Sequence, residues 1–250
     1  MDMNMHNHIG YEPLLVALSY LISVLGSYTA LQLAIAIPQA RDRLSALGWV
    51  TGAAVALGGG AIWSMHFIAM NAADMGMPVS YDATLTLSSL VMAIVASGVG
   101  LYIVGRGEGS AAKLLIAGVL TGLGVALMHY TGMAAMIMKA RISYDNTLFY
   151  ASLVIAVVAA TVALWLAFNL RGNLQRFGSA LVMGVAVCGM HYTAMVAVKM
   201  THTAEAAAAT GISLPPATLG QSVFVVSTVV LVLLLVFNAW KSQRTLMADL

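Results

Sequence analysis

Seven separate runs of about 20 apolar residues constrain this chain more than any other feature. A bilayer core of about 30 Å is crossed by roughly 20 residues of helix. Inside hydrocarbon, a lone segment satisfies its own backbone only as a helix. The runs cover approximately 13–37, 47–70, 83–104, 114–138, 147–170, 178–198 and 219–240. Of the 250 residues, 61% are hydrophobic and only 8% are charged, too few to cover a soluble surface. The expected fold is an all-α membrane protein with seven transmembrane helices. One domain spans 1–240, and 241–250 begin a cytoplasmic tail or a linker to an output domain.

The basic residues predict the orientation. Arg41, Arg43, Arg106, Lys113, Arg171, Arg176, Lys241 and Arg244 follow the odd-numbered runs, whereas Lys139, Arg141 and Lys199 follow the even ones. The positive-inside rule makes the first group cytoplasmic, with the N-terminus outside and the C-terminus inside. The segment 1–8 is polar and lacks the basic start of a cleaved signal peptide, so the first run reads as a retained helix. A net charge of +2 without any basic stripe excludes nucleic acid as an expected partner. A single cysteine, Cys188, excludes an intrachain disulfide and a Cys-only metal site.

The chain repeats internally. Met65-His66-Phe67-Ile68-Ala69-Met70, Met128-His129-Tyr130-Thr131-Gly132-Met133 and Met190-His191-Tyr192-Thr193-Ala194-Met195 recur at steps of 63 and 62 residues. Tyrosine followed by an acid opens the odd helices at Tyr11-Glu12, Tyr81-Asp82 and Tyr144-Asp145. The acids suit helix N-caps and the tyrosines suit the membrane interface. The repeating unit is therefore a helix pair, and three pairs are followed by a closing seventh helix that begins at Pro215-Pro216. All three histidines fall on helices running in the same direction, in the same leaflet and at similar depth.

A histidine in hydrocarbon needs a partner or a task. Met70, Met133 and Met195 stand at i+4, and Gly59, Gly122 and Gly184 at i−7, on the same helix faces. Glycine there permits close helix approach. Imidazole plus thioether is a soft ligand set that favours copper, above all Cu(I). Zinc and haem are the alternatives. The expected metal ligands are His66, His129, His191, Met70, Met133 and Met195. Cys188, at i−3 from His191, is a further soft candidate, and Asp82 and Asp145 could orient a histidine. For a single Met-His pair, core packing would be the better account; three copies in register favour a site. Outside the runs, 1–8 and Asp74-Met75-Gly76-Met77 are also rich in soft ligands and could capture copper.

These residues resemble the MHYT domain, a bacterial seven-helix sensor. Met128-His129-Tyr130-Thr131 and Met190-His191-Tyr192-Thr193 match its signature, while Met65-His66-Phe67-Ile68 departs from it at Phe67 and Ile68. The resemblance covers nearly the whole chain. It implies copper bound by the motif residues, sensing of oxygen, carbon monoxide or nitric oxide, and a place in a bacterial inner membrane. It further implies relay to GGDEF and EAL domains, in cis or in trans, which make and degrade cyclic di-GMP. The lipid bilayer is the expected partner, and a homo-oligomer is compatible with the chain. A copper transporter or carrier is the competing reading, but no histidine or carboxylate lies in the cytoplasmic halves of the spans. No catalytic motif occurs, so this chain by itself is not expected to be an enzyme.

Overall fold

The computed structural model describes residues 9–170, 172–206 and 211–248, with side chains to Arg244. The N-terminal Met/His cluster, Arg171 and the last two residues lie outside the described residues. Among the described residues, seven helices are long and apolar enough to cross a membrane: α1 Pro13–Gln39, α2 Arg43–Ala72, α3 Ala83–Gly105, α4 Ala111–Ala134, α5 Asn146–Asn169, α6 Asn173–Val196 and α7 Pro216–Arg244. The protein is an all-α, multi-pass membrane bundle of three helix pairs and a seventh helix.

Each helix start has a local cause. Glu12 accepts from the backbone N–H of Leu14 and Leu15, Asp82 from Leu85, and Asp145 from Thr147 and Leu148. At the opposite end of the bundle Asp42 caps α2 and Ser110 caps α4. Each cap satisfies amides that the first helical turn leaves free. Gly172 precedes α6 at φ 103°, a conformation that favours glycine.

Short strands at the histidine end were not foreseen from the apolar runs. They are β1 Gly10–Tyr11, β2 Ala73–Asp74, β3 Ser80–Asp82, β4 Met136–Ile137, β5 Ala140–Tyr144, β6 Val198–His202 and β7 Ser213–Leu214. β1 pairs with β2, β3 with β4 and β7, and β5 with β6, all antiparallel. The run 114–138 therefore leaves the helix after Ala134 and enters β4. In every unit the strand before the first helix pairs with the strand after the second. The backbone repeats this closure: Glu12 donates to Ala72, Asp82 to Ala135 and Asp145 to Ala197, at 2.9, 2.8 and 2.7 Å. Each helix pair is thus clamped shut where the chain would otherwise expose unpaired backbone.

Helices α1 to α6 follow one another around a ring that closes between α6 and α1. At the basic end Arg176 Nη1 donates to Gln32 Oε1 at 2.9 Å across this closure. α7 stands outside the ring and runs the length of α2. Asn71 lies beside Gly220, Ser64 bonds Ser227, Leu231 packs on Gly60, and Trp49 meets Phe237. Consequently 94% of the apolar window of α2 is buried, against 39% for α4 and 44% for α6.

α2 contains a π-helical stretch, Val55–Trp63, centred on three glycines. Ser64 Oγ donates to Gly59 O at 2.7 Å at its end. The wider turn shifts the following residues around the helix axis. This corrects the expected role of Gly59. In α4 the backbone of α5 at Val157 leaves no room for a Cβ on Gly122, and in α6 Val24 and Tyr20 of α1 crowd Gly184. In α2 the equivalent close contact, against Ala93 and Ile94 of α3, is made by Gly58; Gly59 makes only ordinary contacts. These glycines therefore seat each histidine helix against the next helix pair, not against one another.

Candidate metal centre

The three histidines converge although their helices alternate around the ring. His66, His129 and His191 are 1%, 0% and 0% exposed. Their ring centroids form a near-equilateral triangle with sides of 4.8, 5.1 and 5.1 Å. Nδ1 of His66 lies 3.1 Å from Nδ1 of His191 and 3.2 Å from Nδ1 of His129. Among the described residues these three form the cluster of His, Cys, Asp or Glu able to hold an ion. Cys188, a candidate from the sequence, is not part of it.

Hydrogen bonding alone does not resolve this arrangement well. A neutral imidazole carries one N–H and one lone pair. His66 Nδ1 faces two other ring nitrogens, so it shares one proton between two acceptors or offers one lone pair to two donors. A small cation removes the conflict by taking a lone pair from each ring. Nitrogens bound at about 2.0–2.1 Å to a tetrahedral ion stand about 3.3 Å apart, close to the separations found. The residues present therefore fit a small ion, while rings about 5 Å apart leave no space between them for a macrocycle. Nε2 of each ring is buried without a hydrogen-bond partner among the described residues. Gly132 lies directly against Nε2 of His66, where any Cβ would collide with the ring.

Met70, Met133 and Met195 are all buried in the same core, one helical turn beyond their histidines. Met65, Met128 and Met190 are buried as well. Each motif copy therefore carries two buried thioethers, one next to its histidine in the chain and one a helical turn beyond it.

A set of residues outside the motif holds the triangle in place. Tyr130 Oη bonds Ser152 Oγ at 2.7 Å, and Tyr192 Oη bonds Ser19 Oγ at 3.4 Å. In the first copy Phe67 has no hydroxyl, and Trp63 Nε1 donates to Ser89 Oγ instead, at 3.0 Å. The aromatic at the third motif position also packs edge-on against a helix-start tyrosine. The pairs are Phe67 with Tyr81, Tyr130 with Tyr144 and Tyr192 with Tyr11, at 5.7, 5.0 and 5.4 Å. Burial pushes the hydroxyls of Tyr11 and Tyr144 up to about 12 and raises that of Tyr81, so all three remain protonated. Each histidine helix is thus tied to the next pair, and the third is tied back to the first. No part in the site was expected of Ser19, Ser89 or Ser152 from the sequence, although each stands eight residues after a start tyrosine.

Comparison with known proteins finds the same repeat step, in four matched segments. The profile of the MHYT family, described as a bacterial signalling protein N-terminal repeat, matches residues 1–48, 59–117, 122–180 and 184–248. The last three segments begin at 59, 122 and 184, the same steps of 63 and 62 residues. The bifunctional diguanylate cyclase/cyclic di-GMP phosphodiesterase MucR of Pseudomonas aeruginosa is 46% identical over 192 residues, 75% of this chain and 28% of that protein. The cyclic di-GMP phosphodiesterase NbdA of the same organism is 36% identical over 197 residues, covering 76% and 25%. The signaling protein YkoW of Bacillus subtilis is 35% identical over 200 residues, covering 77% and 25%. The chain thus spans about a quarter of the length of these relatives. No solved structure matches. With family units matched across most of its length and the motif histidines gathered at one point, the chain belongs to the MHYT family of membrane signalling domains.

Proposed function

We propose that this chain is the sensory input module of a cyclic di-GMP signalling protein, and that His66, His129 and His191 hold copper with Met70, Met133 and Met195 as soft ligands. The observation that carries this reading is the approach of three buried Nδ1 atoms, within 3.2 Å of the one on His66. Thioethers in register with the rings favour Cu(I) over zinc. Bound there, copper supplies a soft Lewis-acid centre with affinity for a diatomic gas such as oxygen, carbon monoxide or nitric oxide. The protein's own residues set the geometry: the serine and tyrosine ties fix the rings, and burial excludes bulk water. The positive-inside rule places the histidine end outside and the basic end in the cytoplasm of an inner membrane. Residues 1–240 form the sensor domain. α7 continues past Trp240 as helix to Ala248, and the tail 241–250 leads toward an output domain.

The route to that output runs through α2. Of the three histidine helices, α2 is the one covered by α7, and Ser64, two residues before His66, bonds Ser227 at 2.5 Å. A ligand shifts such an equilibrium only through different affinities for the two arrangements. A change in ligation that moves α2 moves α7 with it.

The test is the copper, zinc and iron content of the detergent-purified chain, loaded under reducing conditions. Copper is expected in wild type and lost in His66→Ala, His129→Ala and His191→Ala. Because the ligand is neutral imidazole, bound copper should decrease as pH falls and protons compete. Stoichiometric zinc would overturn the choice of metal, and no metal at all would overturn the site. Fused to a cyclic di-GMP output domain, the loaded module should change nucleotide turnover when gas is added.

A further inference from the structure

We infer that a cavity at the histidine end, lined by Met70, Met75 and Met77, is a second site for a soft monovalent cation, from which Met70 passes the ion to the histidines. The transfer half of this inference rests on the proposed metal centre; the site itself does not.

The cavity measures about 310 Å³ and lies where the end of α2, the segment after it and the start of α7 meet. Its walls include Asn71, Asp74, Tyr81 and Pro216 besides the three methionines. Gly76, at φ 65°, turns the chain sharply between Met75 and Met77, and Asp74 Oδ1 accepts from its backbone N–H at 2.9 Å. The turn folds Met75 inward, where it is 7% exposed, and Met77 lines the same space. A second cavity, of about 420 Å³, shares Asn71, Ala73 and Asp74 with the first and adds Glu12. Two carboxylates thus border the approach and favour a cation over an anion.

The donor set decides which cation. Thioethers are uncharged, polarisable and poor ligands for magnesium or calcium, which require several oxygens. Three of them beside one carboxylate suit Cu(I) or its redox-inert analogue Ag(I). Met70 belongs to both places: it lines the cavity, and it stands one helical turn from His66 on the same helix face. An ion leaving Met75 and Met77 therefore needs no charged carrier to reach the buried rings. Pro216 is the first residue of α7, so the cavity also borders the start of the seventh helix.

The experiment uses the full chain in detergent, titrated with Ag(I) and, under reductant, with Cu(I). Met75→Leu/Met77→Leu removes two thioethers at nearly constant volume. It is compared with its parent in wild type and again in a His66→Ala/His129→Ala/His191→Ala background. We expect the methionine double variant to bind one Ag(I) fewer per chain in both backgrounds. In the wild-type background it should load copper more slowly when Cu(I) is limiting and reach the same histidine-bound copper in excess. Equal Ag(I) counts with and without Met75 and Met77 would overturn the site. Equal loading rates would overturn the transfer. Failure of the histidine centre looks different: Ag(I) would be lost with the methionines and unaffected by the histidine substitutions.

Discussion

The first motif copy and the two later ones hold equivalent places in the repeat but have different surroundings. Tyr130 and Tyr192 are half-buried, and their hydroxyls reach Ser152 and Ser19. Phe67 and Ile68 are each 2% exposed, because α7 covers the back of α2 and leaves its histidine half enclosed. In that setting a hydroxyl without a partner would cost free energy, and the corresponding serine, Ser89, is already engaged by Trp63. The departure from the signature at Phe67 and Ile68 therefore marks the most enclosed copy. It does not mark a decayed one. His66 belongs to the copy that departs from the signature, yet its Nδ1 lies 3.1 and 3.2 Å from the other two Nδ1 atoms.

The largest expected effect breaks this comparison most directly. His66→Ala should lower copper affinity more than His129→Ala or His191→Ala, and by more than the 10–100-fold typical of outer-shell changes (about 100-fold or greater). Equal losses by competition titration would mean that the three copies are equivalent after all. Next comes the cradle. Gly132→Ala would place a methyl against His66 Nε2, and overpacking of this kind costs about 1–3 kcal/mol. The same motif position is Ala69 in the first copy and Ala194 in the third, both fully buried. Ala69→Gly and Ala194→Gly should cost only about 0.5–1 kcal/mol, the usual helix penalty. Unfolding midpoints in detergent, read together with copper affinity, separate the two classes.

A smaller effect sharpens the account of the degenerate copy. Phe67→Tyr alone should destabilise by about 1 kcal/mol, the scale of an unsatisfied buried polar group. Trp63→Phe in the same chain frees Ser89, so the added hydroxyl should then be tolerated better. If Phe67→Tyr costs the same in both backgrounds, competition for Ser89 is not the cause. The smallest effect concerns the contact between α2 and α7. Ser64→Ala and Ser227→Ala should show a coupling energy near the average of about 0.6 kcal/mol for hydrogen bonds between membrane helices. Metal affinity should remain near wild type while the gas response of a fused output domain weakens. An unchanged response would remove Ser64 from the relay.

Much of the fold was legible because membrane helices are governed by local rules. Run length set the seven spans, and Glu12, Asp82 and Asp145 act as the caps their positions implied. The period of 63 and 62 residues placed the histidines on parallel helices at one depth. Other features were legible in principle but had ordinary explanations. A serine within a membrane helix commonly bonds a carbonyl one turn back, as Ser19, Ser89 and Ser152 all do. Only their common spacing from Tyr11, Tyr81 and Tyr144 hinted at the second bond each makes.

Periodicity by itself therefore determined the spans, the three-unit repeat and the identity of the histidines, because each follows from residues close together in the chain. Tertiary structure alone decided that His66 Nδ1 approaches both other Nδ1 atoms, why Gly58 replaces Gly59 at the close contact, and which histidine helix α7 covers. Those outcomes depend on a π-helical turn that rotates one face of α2 and on ring closure between α6 and α1. Both involve packing between residues distant in the chain, as Gly58 with Ala93, Ser64 with Ser227 and Ser19 with Tyr192 show. No local pattern specifies such contacts, since they arise only when all three helix pairs are in place.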